Sequence, residues 1–281
     1  MHATRDVVVS GVRSTVFDSG PPRCSDAVVF LHGNPGPMDD WEFALPALAG
    51  RARAIALDMP GFGRADRPRR FDFSPEGCAR HLSGVLAQLG VTRAHVVMHD
   101  FGGAWGLAWV LANPGATLSV TLINSVPLCA FRWHFFARLW QLPVLGELFQ
   151  LSTTDLAIRA VMKRDNPRPL PDAFVERVLR HADMRQKFAV LKMYRAVRDT
   201  RASFADLVPR LRALDLPACV IWGDADPYLP PEHAESFRQA FPRSTLTRLP
   251  GLGHWPFIDD PPAVREILLA FLHEQGALAV A

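Results

Sequence analysis

Residues 96–106 read VVMHDFGGAWG: an apolar, β-branched run, then a carboxylate, then glycines leading into helix-forming residues. A strand that turns sharply into a helix needs small residues around the corner, and the side chain at the corner is lifted above the end of the sheet. Here that side chain is Asp100, with His99 before it and Phe101 after it. Backbone N–H groups at the start of the following helix point into the same space and can hold a negative oxygen. A buried carboxylate is costly without partners, so its presence at such a corner points to chemical use.

Outward from this corner, short β-branched runs recur at DVVV, STVF, AVVFLH, RAIALD, AHVVMH, VTLINS, ACVIWG and LTRLPG, and each reads as a strand. From AVVFLH onward they alternate with helical patterns, the rhythm of parallel strands joined by crossover helices. One such helix follows Asp72. Ser74 is placed to cap it, Pro75 suits its first turn, Cys78, Leu82, Val85, Leu86 and Leu89 repeat on one face, and Gly90 stops it. A last helix starts at Asp260 and Pro261.

The alternation breaks after VTLINSVPL. A helix-rich, arginine-rich stretch without strand signal then runs to LPACVIWGD, which reads as an insertion at residues 128–212. Trp133, Phe136 and Trp140 share a helical face there, as do Val190, Tyr194 and Val197, and PRPLPD separates two helices. The insertion holds 16 Lys or Arg against 8 Asp or Glu, and the rest of the chain 15 against 20. That excess reads either as solvated helix faces or as a surface for an anionic substrate or acidic partner.

The 281 residues suffice for one large domain or a core with an insertion. A net charge of +3 gives no field that would draw nucleic acid. The charged N-terminus does not resemble a signal peptide, and no apolar run is long enough to span a bilayer, so the expectation is a soluble protein without membrane association. Cys24, Cys78, Cys129 and Cys219 are far apart with no C-x-x-C pair, which suggests reduced packing residues in the cytoplasm and no metal site. GFG at 61–63 lacks the third glycine of a nucleotide loop.

Three further stretches accompany the corner. VVFLHGNPGP places His32, Gly33, Asn34 and Pro35 after a strand, where the Asn34 N–H can face a negative oxygen. VIWGDADPYLP carries Asp224 and Asp226 after a later strand, and LPGLGHWPF holds His254 in a glycine-flanked loop. With HGNP, DMPGFGRADRP, HDFGGAWG, WGDADPYLP and GHWPFIDDP in this order, the chain resembles the α/β-hydrolase family along nearly its whole length. Within that family it resembles the aspartate-nucleophile branch of epoxide hydrolases and haloalkane dehalogenases.

The resemblance implies an α/β fold with a mostly parallel sheet flanked by helices, a core of residues 1–127 and 213–281, and a helical cap at 128–212. It implies that Asp100 attacks a saturated carbon to form an ester, which His254, oriented by an acid, then hydrolyses without a metal or other cofactor. The W-G-x-x-D pattern favours Asp226 as that acid and leaves Asp224 to shape the turn. Backbone N–H groups of Phe101 and Asn34 would hold the oxyanion. Asn34 reads equally as a residue tolerating an unusual backbone angle before Pro35 and as a binding side chain.

Tyr194 matches the family's cap tyrosine, a proton donor for an opening epoxide, and the substrate is expected to be a small, apolar molecule with possible anionic character. His32, His99, Trp133, His134 and Trp140 are further pocket candidates. A second cap tyrosine is missing, since the only other tyrosine, Tyr228, adjoins the acid turn, and His134 or Trp133 is the candidate to assist. Phe101 stands where dehalogenases carry a halide-binding tryptophan, for which Trp133 or Trp140 could substitute. Epoxide opening is the favoured reading, with haloalkane or haloacid dehalogenation and a non-catalytic binding homologue as alternatives.

Overall fold

The computed structural model describes residues 4–20, 25–126, 133–197 and 206–279. All eight expected strands form, as β1 (Thr4–Val9), β2 (Val12–Asp18), β3 (Asp26–Leu31), β4 (Ala54–Leu57), β5 (Arg93–Asp100), β6 (Thr117–Ser125), β7 (Ala218–Gly223) and β8 (Ser244–Leu249). They make one sheet in the order β1-β2-β4-β3-β5-β6-β7-β8. The β1–β2 hairpin and its junction to β4 are antiparallel, and every later pairing is parallel.

Burial on both sheet faces explains the nearly continuous apolar runs. Along β3, Val29 and Leu31 enter the core on one face, and Val28 and Phe30 the core on the other. Helices α1 (Leu45–Leu48), α2 (Pro75–Gln88) and α3 (Phe101–Ala112) follow the early strands. The Ser74 hydroxyl accepts from the Gly77 N–H at 3.1 Å, and Gly90 has φ of 69°, the left-handed stop expected from the sequence.

Between β6 and β7 the chain forms α4 (Phe135–Trp140), α5 (Leu145–Ser152), α6 (Asp155–Asp165), α7 (Asp172–His181), α8 (Met184–Ala196) and α9 (Leu207–Arg212). This is the segment expected to be a cap, although its start at residue 128 lies outside the described residues. Trp133 precedes α4, whose first turn is capped by His134. The helices α10 (Glu235–Ala240), α11 (Pro256–Asp259) and α12 (Pro261–Glu274) complete the fold, with α9 packed on α10. Asp260 caps α12 by accepting from the Ala263 N–H.

Cys78 and Cys219 are buried and free, while Cys24 and Cys129 lie outside the described residues. No described helix is long and apolar enough to cross a membrane. Strand order places β4 on one side of β3 and β5 on the other. Loops leaving such neighbouring strands diverge, which opens a crevice at their C-terminal ends. The loop after β3 carries His32 to Asn34, and Asp100 ends β5.

Candidate active site

Asp100 sits at the strand-to-helix corner with φ of 49° and ψ of −120°, a conformation that costs a non-glycine residue on the order of 1–3 kcal/mol. Two glycines make the corner possible. A Cβ at Gly102 would strike the Leu31 carbonyl oxygen, and one at Gly103 the Ser125 hydroxyl. The strain lifts the Asp100 carboxylate into the crevice, where the residue keeps only 5% of its surface exposed.

One carboxylate oxygen, Oδ1, accepts the Asn34 backbone N–H at 2.8 Å, and the Phe101 backbone N–H also donates to this carboxylate. The other, Oδ2, faces His254 Nε2 at 3.7 Å, too far for a direct hydrogen bond. Burial pushes the Asp100 carboxyl above its usual range, opposed by the neighbouring imidazole and the two N–H groups.

His254 Nδ1 donates to Asp226 Oδ2 at 2.8 Å. Burial alone would lower the imidazole's proton affinity, but the charge and hydrogen bond of Asp226, with the charge of Asp100, hold it above the ordinary histidine value. Asp226 Oδ1 accepts the Tyr228 and Leu229 N–H groups at 2.8 and 3.0 Å, and its Oδ2 also accepts the Asn124 amide at 2.8 Å. Asp224 points elsewhere, to Arg248 at 2.8 Å.

Asn124 was not singled out from the sequence. It ends β6 with φ of 35°, and its Oδ1 accepts the Gly223 N–H at 2.8 Å, locking the amide that holds Asp226. An amide at a strand end carries no distinctive sequence signal, and only the neighbouring strand β7 gives it this role.

From the insertion, Tyr194 of α8 comes within 4.8 Å of the Phe101 ring and 5.2 Å of the Trp133 ring, and is 3% exposed. His134 Nδ1 accepts the Ala137 N–H at 3.3 Å, so the neutral ring carries its proton on Nε2 and donates it to the Tyr194 hydroxyl at 3.4 Å. Burial holds His134 down at about 4, hence neutral near pH 7. The Asn34 side-chain amide donates to the same hydroxyl. Burial, and next the charge of Asp100, raise Tyr194 well above the ordinary phenol value, so its own proton stays on. Tyr228 faces the same space, but its hydroxyl donates to Asp165 at 3.3 Å.

A cavity of about 270 Å³ joins these groups, lined by Asn34, Asp100, Trp133, His134, Trp140, Tyr194 and His254 among others. Two expected pocket residues do not line it. His32 Nδ1 donates to the Gly33 carbonyl at 2.8 Å and its Nε2 accepts the Met59 N–H at 3.0 Å, bracing the loop after β3. His99 Nε2 donates to the His254 carbonyl at 2.9 Å, fixing the histidine loop from behind. Alternation along β5 turns His99 away from the side occupied by Asp100.

Several basic side chains of the insertion are ion-paired, mostly to acids of the insertion itself, so its positive excess remains. Arg159 meets Glu176, Lys163 meets Asp172, Arg177 meets Asp40 and Glu42, and Arg195 meets Glu147. Lys187, which lines the cavity, donates to the Thr153 carbonyl at 2.6 Å. No described cluster of His, Cys, Asp or Glu has a metal-binding arrangement.

The sequence profile of a family described as alpha/beta hydrolase fold matches residues 26–261. Among curated proteins, epoxide hydrolase 1 of Caenorhabditis elegans is 27% identical over 88% of this chain, which spans 65% of that relative's length. A 2-hydroxymuconate semialdehyde hydrolase of a Pseudomonas species is 26% identical, with 98% of this chain and 96% of that protein covered. A solved haloalkane dehalogenase from Bradyrhizobium elkani superposes with a TM-score of 0.84 at 19% identity, covering 98% of this chain and 99% of that one.

Proposed function

The chain belongs to the alpha/beta hydrolase fold family, and from that premise we propose that it hydrolyses epoxides through an ester formed on Asp100. One observation carries the reading. The buried Asp100 has one oxygen tied to the Asn34 backbone N–H and the other turned toward His254 at 3.7 Å, at the wall of a largely apolar cavity.

In the proposed reaction Asp100 Oδ2 attacks an epoxide carbon, the ring C–O bond breaks, and Tyr194 gives its proton to the departing oxygen. His134 and Asn34 donate to the Tyr194 oxygen, which leaves the phenol proton free for the substrate and supports the phenolate once it has gone. Attack also turns the Asp100 charge into a neutral ester. That removes one of the two main causes holding the phenol proton on, so attack and proton delivery assist each other.

In the second step His254 takes a proton from water, and the resulting hydroxide attacks the ester carbonyl. The Asn34 and Phe101 N–H groups then face the developing oxyanion. Collapse expels the diol oxygen, which takes the proton the hydroxide left on the Asp100 carboxyl, and the proton held by His254 returns to the Tyr194 phenolate, so the diol leaves neutral and both side chains are restored. Helices α4 to α8 act in this reading as a cap that supplies the acid and excludes water. Relatives named epoxide hydrolase agree with it, at 27% and 28% identity.

A second reading, halide release, draws on Trp140, which lines the cavity and whose indole N–H has no hydrogen-bond partner among the described residues. Phe101 offers no side-chain donor to a halide, and a neutral phenol held by two donors suits an alkoxide better.

The test is a panel of epoxides and haloalkanes scored for diol and for free halide. The His254→Gln variant is expected to stop after attack and leave a mass adduct on the Asp100 peptide. Tyr194→Phe is expected to slow epoxide opening by about 10²–10⁴-fold and halide displacement far less. Adduct-free His254→Gln enzyme with a substrate that the wild type consumes would remove the covalent mechanism. Equal losses on both substrate classes would remove the preference for epoxides.

A further inference from the structure

Two side-chain amides in the helical insertion take no part in this chemistry. Gln150 of α5 and Gln186 of α8 line the cavity and are 4% and 5% exposed. Gln186 Oε1 is enclosed without a hydrogen-bond partner, and no described residue hydrogen-bonds the Gln150 side chain. The cavity lining also includes Phe149, Ile158, Val161 and Val190, none of which offers a polar side-chain atom, together with Ser152, Thr153 and Lys187.

Helix α5 makes the arrangement unusual. It turns Gln150 inward while Leu145, Leu148 and Leu151 stand exposed, the reverse of the polarity that packing against a core would select. An enclosed polar atom left unpaired, as Gln186 Oε1 is, costs about 1–3 kcal/mol, and leucine at that position would avoid the cost. Lys187, beside Gln186, donates to the Thr153 carbonyl just after α5, which holds the two glutamine-bearing segments together.

Helix α8 also acts as a ruler. Gln186, Val190 and Tyr194 recur at four-residue steps and all line the cavity. Eight residues of helix rise by about 12 Å, so Gln186 lies that far along the cavity wall from the proposed proton donor.

We propose that Gln150 and Gln186 form a polar subsite that hydrogen-bonds a neutral hydroxyl or carboxamide at the far end of an otherwise apolar substrate. Such a group both gives and accepts hydrogen bonds, as a carboxamide requires. Two uncharged amides suit a neutral group better than a carboxylate, with the Lys187 ammonium, which also lines the cavity, giving one of its three N–H groups to the Thr153 carbonyl. The placement of the reacting carbon near Asp100 and Tyr194 rests on the function proposed above. The cavity's volume of about 270 Å³ is many times the ~10–15 Å³ that one water needs on the same measure, room for an aliphatic chain with a polar group at its end.

The experiment measures binding of 1,2-octanediol, 1,2,8-octanetriol and the matching 8-carboxylate by calorimetry, alongside turnover of 1,2-epoxyoctane and its 8-hydroxy derivative. Wild type, Gln186→Leu and Gln150→Leu are compared. The triol-to-diol affinity ratio is expected to fall roughly five- to tenfold in each variant, and Gln186→Leu to melt at or above the wild-type temperature, since it loses an enclosed, unpaired amide oxygen. An unchanged ratio, undetectable triol binding to wild type, or tighter binding of the carboxylate than of the triol overturns the subsite. If neither epoxide is turned over while the ratio still responds to the substitutions, the reaction fails and the subsite stands. Turnover with one ratio in all three proteins has the opposite meaning.

Discussion

Strand β7 and helix α5 are both short and apolar in sequence, yet they meet their surroundings differently. All six residues of β7, Ala218 to Gly223, are buried, because a central parallel strand is covered on both faces. Helix α5 exposes three leucines and buries Gly146 and Gln150. The contrast extends to the regions that hold them: among the described residues, every exposed large apolar side chain except Val8 lies between Phe135 and Phe188. The sheet places residues by the need to exclude water. In the insertion, the cavity it encloses decides which residues face inward, and its outer face is left apolar.

The site divides along the same line. Asp100 ends β5, Asp226 and His254 stand on loops leaving β7 and β8, and the Asp226 carboxylate alone accepts from Asn124, Tyr228, Leu229 and His254. Tyr194 and His134 belong to the insertion and hold each other through one long hydrogen bond of 3.4 Å.

If the contrast is real, substitutions in the two regions should separate in size. The largest effect is expected in the sheet, where Ile221→Ala, at a side chain with no exposed surface, should cost about 2–5 kcal/mol of unfolding free energy. Denaturant unfolding with an unchanged slope checks this. A loss below 1 kcal/mol would mean that the sheet packs no more tightly than the insertion.

Acid sensitivity gives a sharper comparison, because burial lowers His95 in the sheet and His134 in the insertion alike to about 4. Each binds a proton below about 6.5 when unfolded but only below about 4 when folded. Its contribution is therefore complete above 6.5 and is lost as pH falls from 6.5 to 4, up to about 3 kcal/mol for each group. Asp40 acts in the opposite sense. Burial raises it to about 7, against Arg177, so its protonated form favours the fold at low pH and that contribution is lost as pH rises from about 4 to 7. Thermal scans from pH 7 to 4 should show stability falling, and His95→Asn should flatten the fall. His134→Asn should flatten it less if the insertion opens to water before the sheet unfolds; equal flattening would show that both regions open together.

A smaller effect is expected at Asn124, which belongs to the sheet and is not among the residues lining the cavity beside Asp100. Asn124→Ala should lower kcat about 10- to 100-fold and move the acid limb of the pH–rate profile, because Asp226 loses a donor and the position of His254 loosens. A change in KM alone would contradict that positioning role. Smallest of all should be Leu148→Ser on the outer face of α5, within about 0.5 kcal/mol of wild type. A loss comparable to that at Ile221 would mean that this face is covered in solution.

Much of the frame was legible in the residues. The eight strands, the Ser74 cap and the Asp260 cap are local signals, each decided within a few residues of itself. The corner at Asp100 was legible from its own run of small residues, although the groups that demand Gly102 and Gly103, the Leu31 carbonyl and the Ser125 hydroxyl, come from the neighbouring strands β3 and β6. The insertion was legible only as helical. Trp133 fell outside the helix whose face it was expected to share, because His134 captured the cap.

By itself the sequence determined the order of elements, the raised carboxylate and the loops that bring Asp226 and His254 toward it, because spacing, chirality and hydrophobic period act along the chain. Only the tertiary structure decided that His32 and His99 brace loops, that Asn124 holds Asp226 from 102 positions away, that His134 donates to Tyr194, and that two glutamines face an apolar cavity. Each of those roles depends on which partner reaches a buried polar atom. The partners come from strands and helices far apart in the chain, where no local pattern records them.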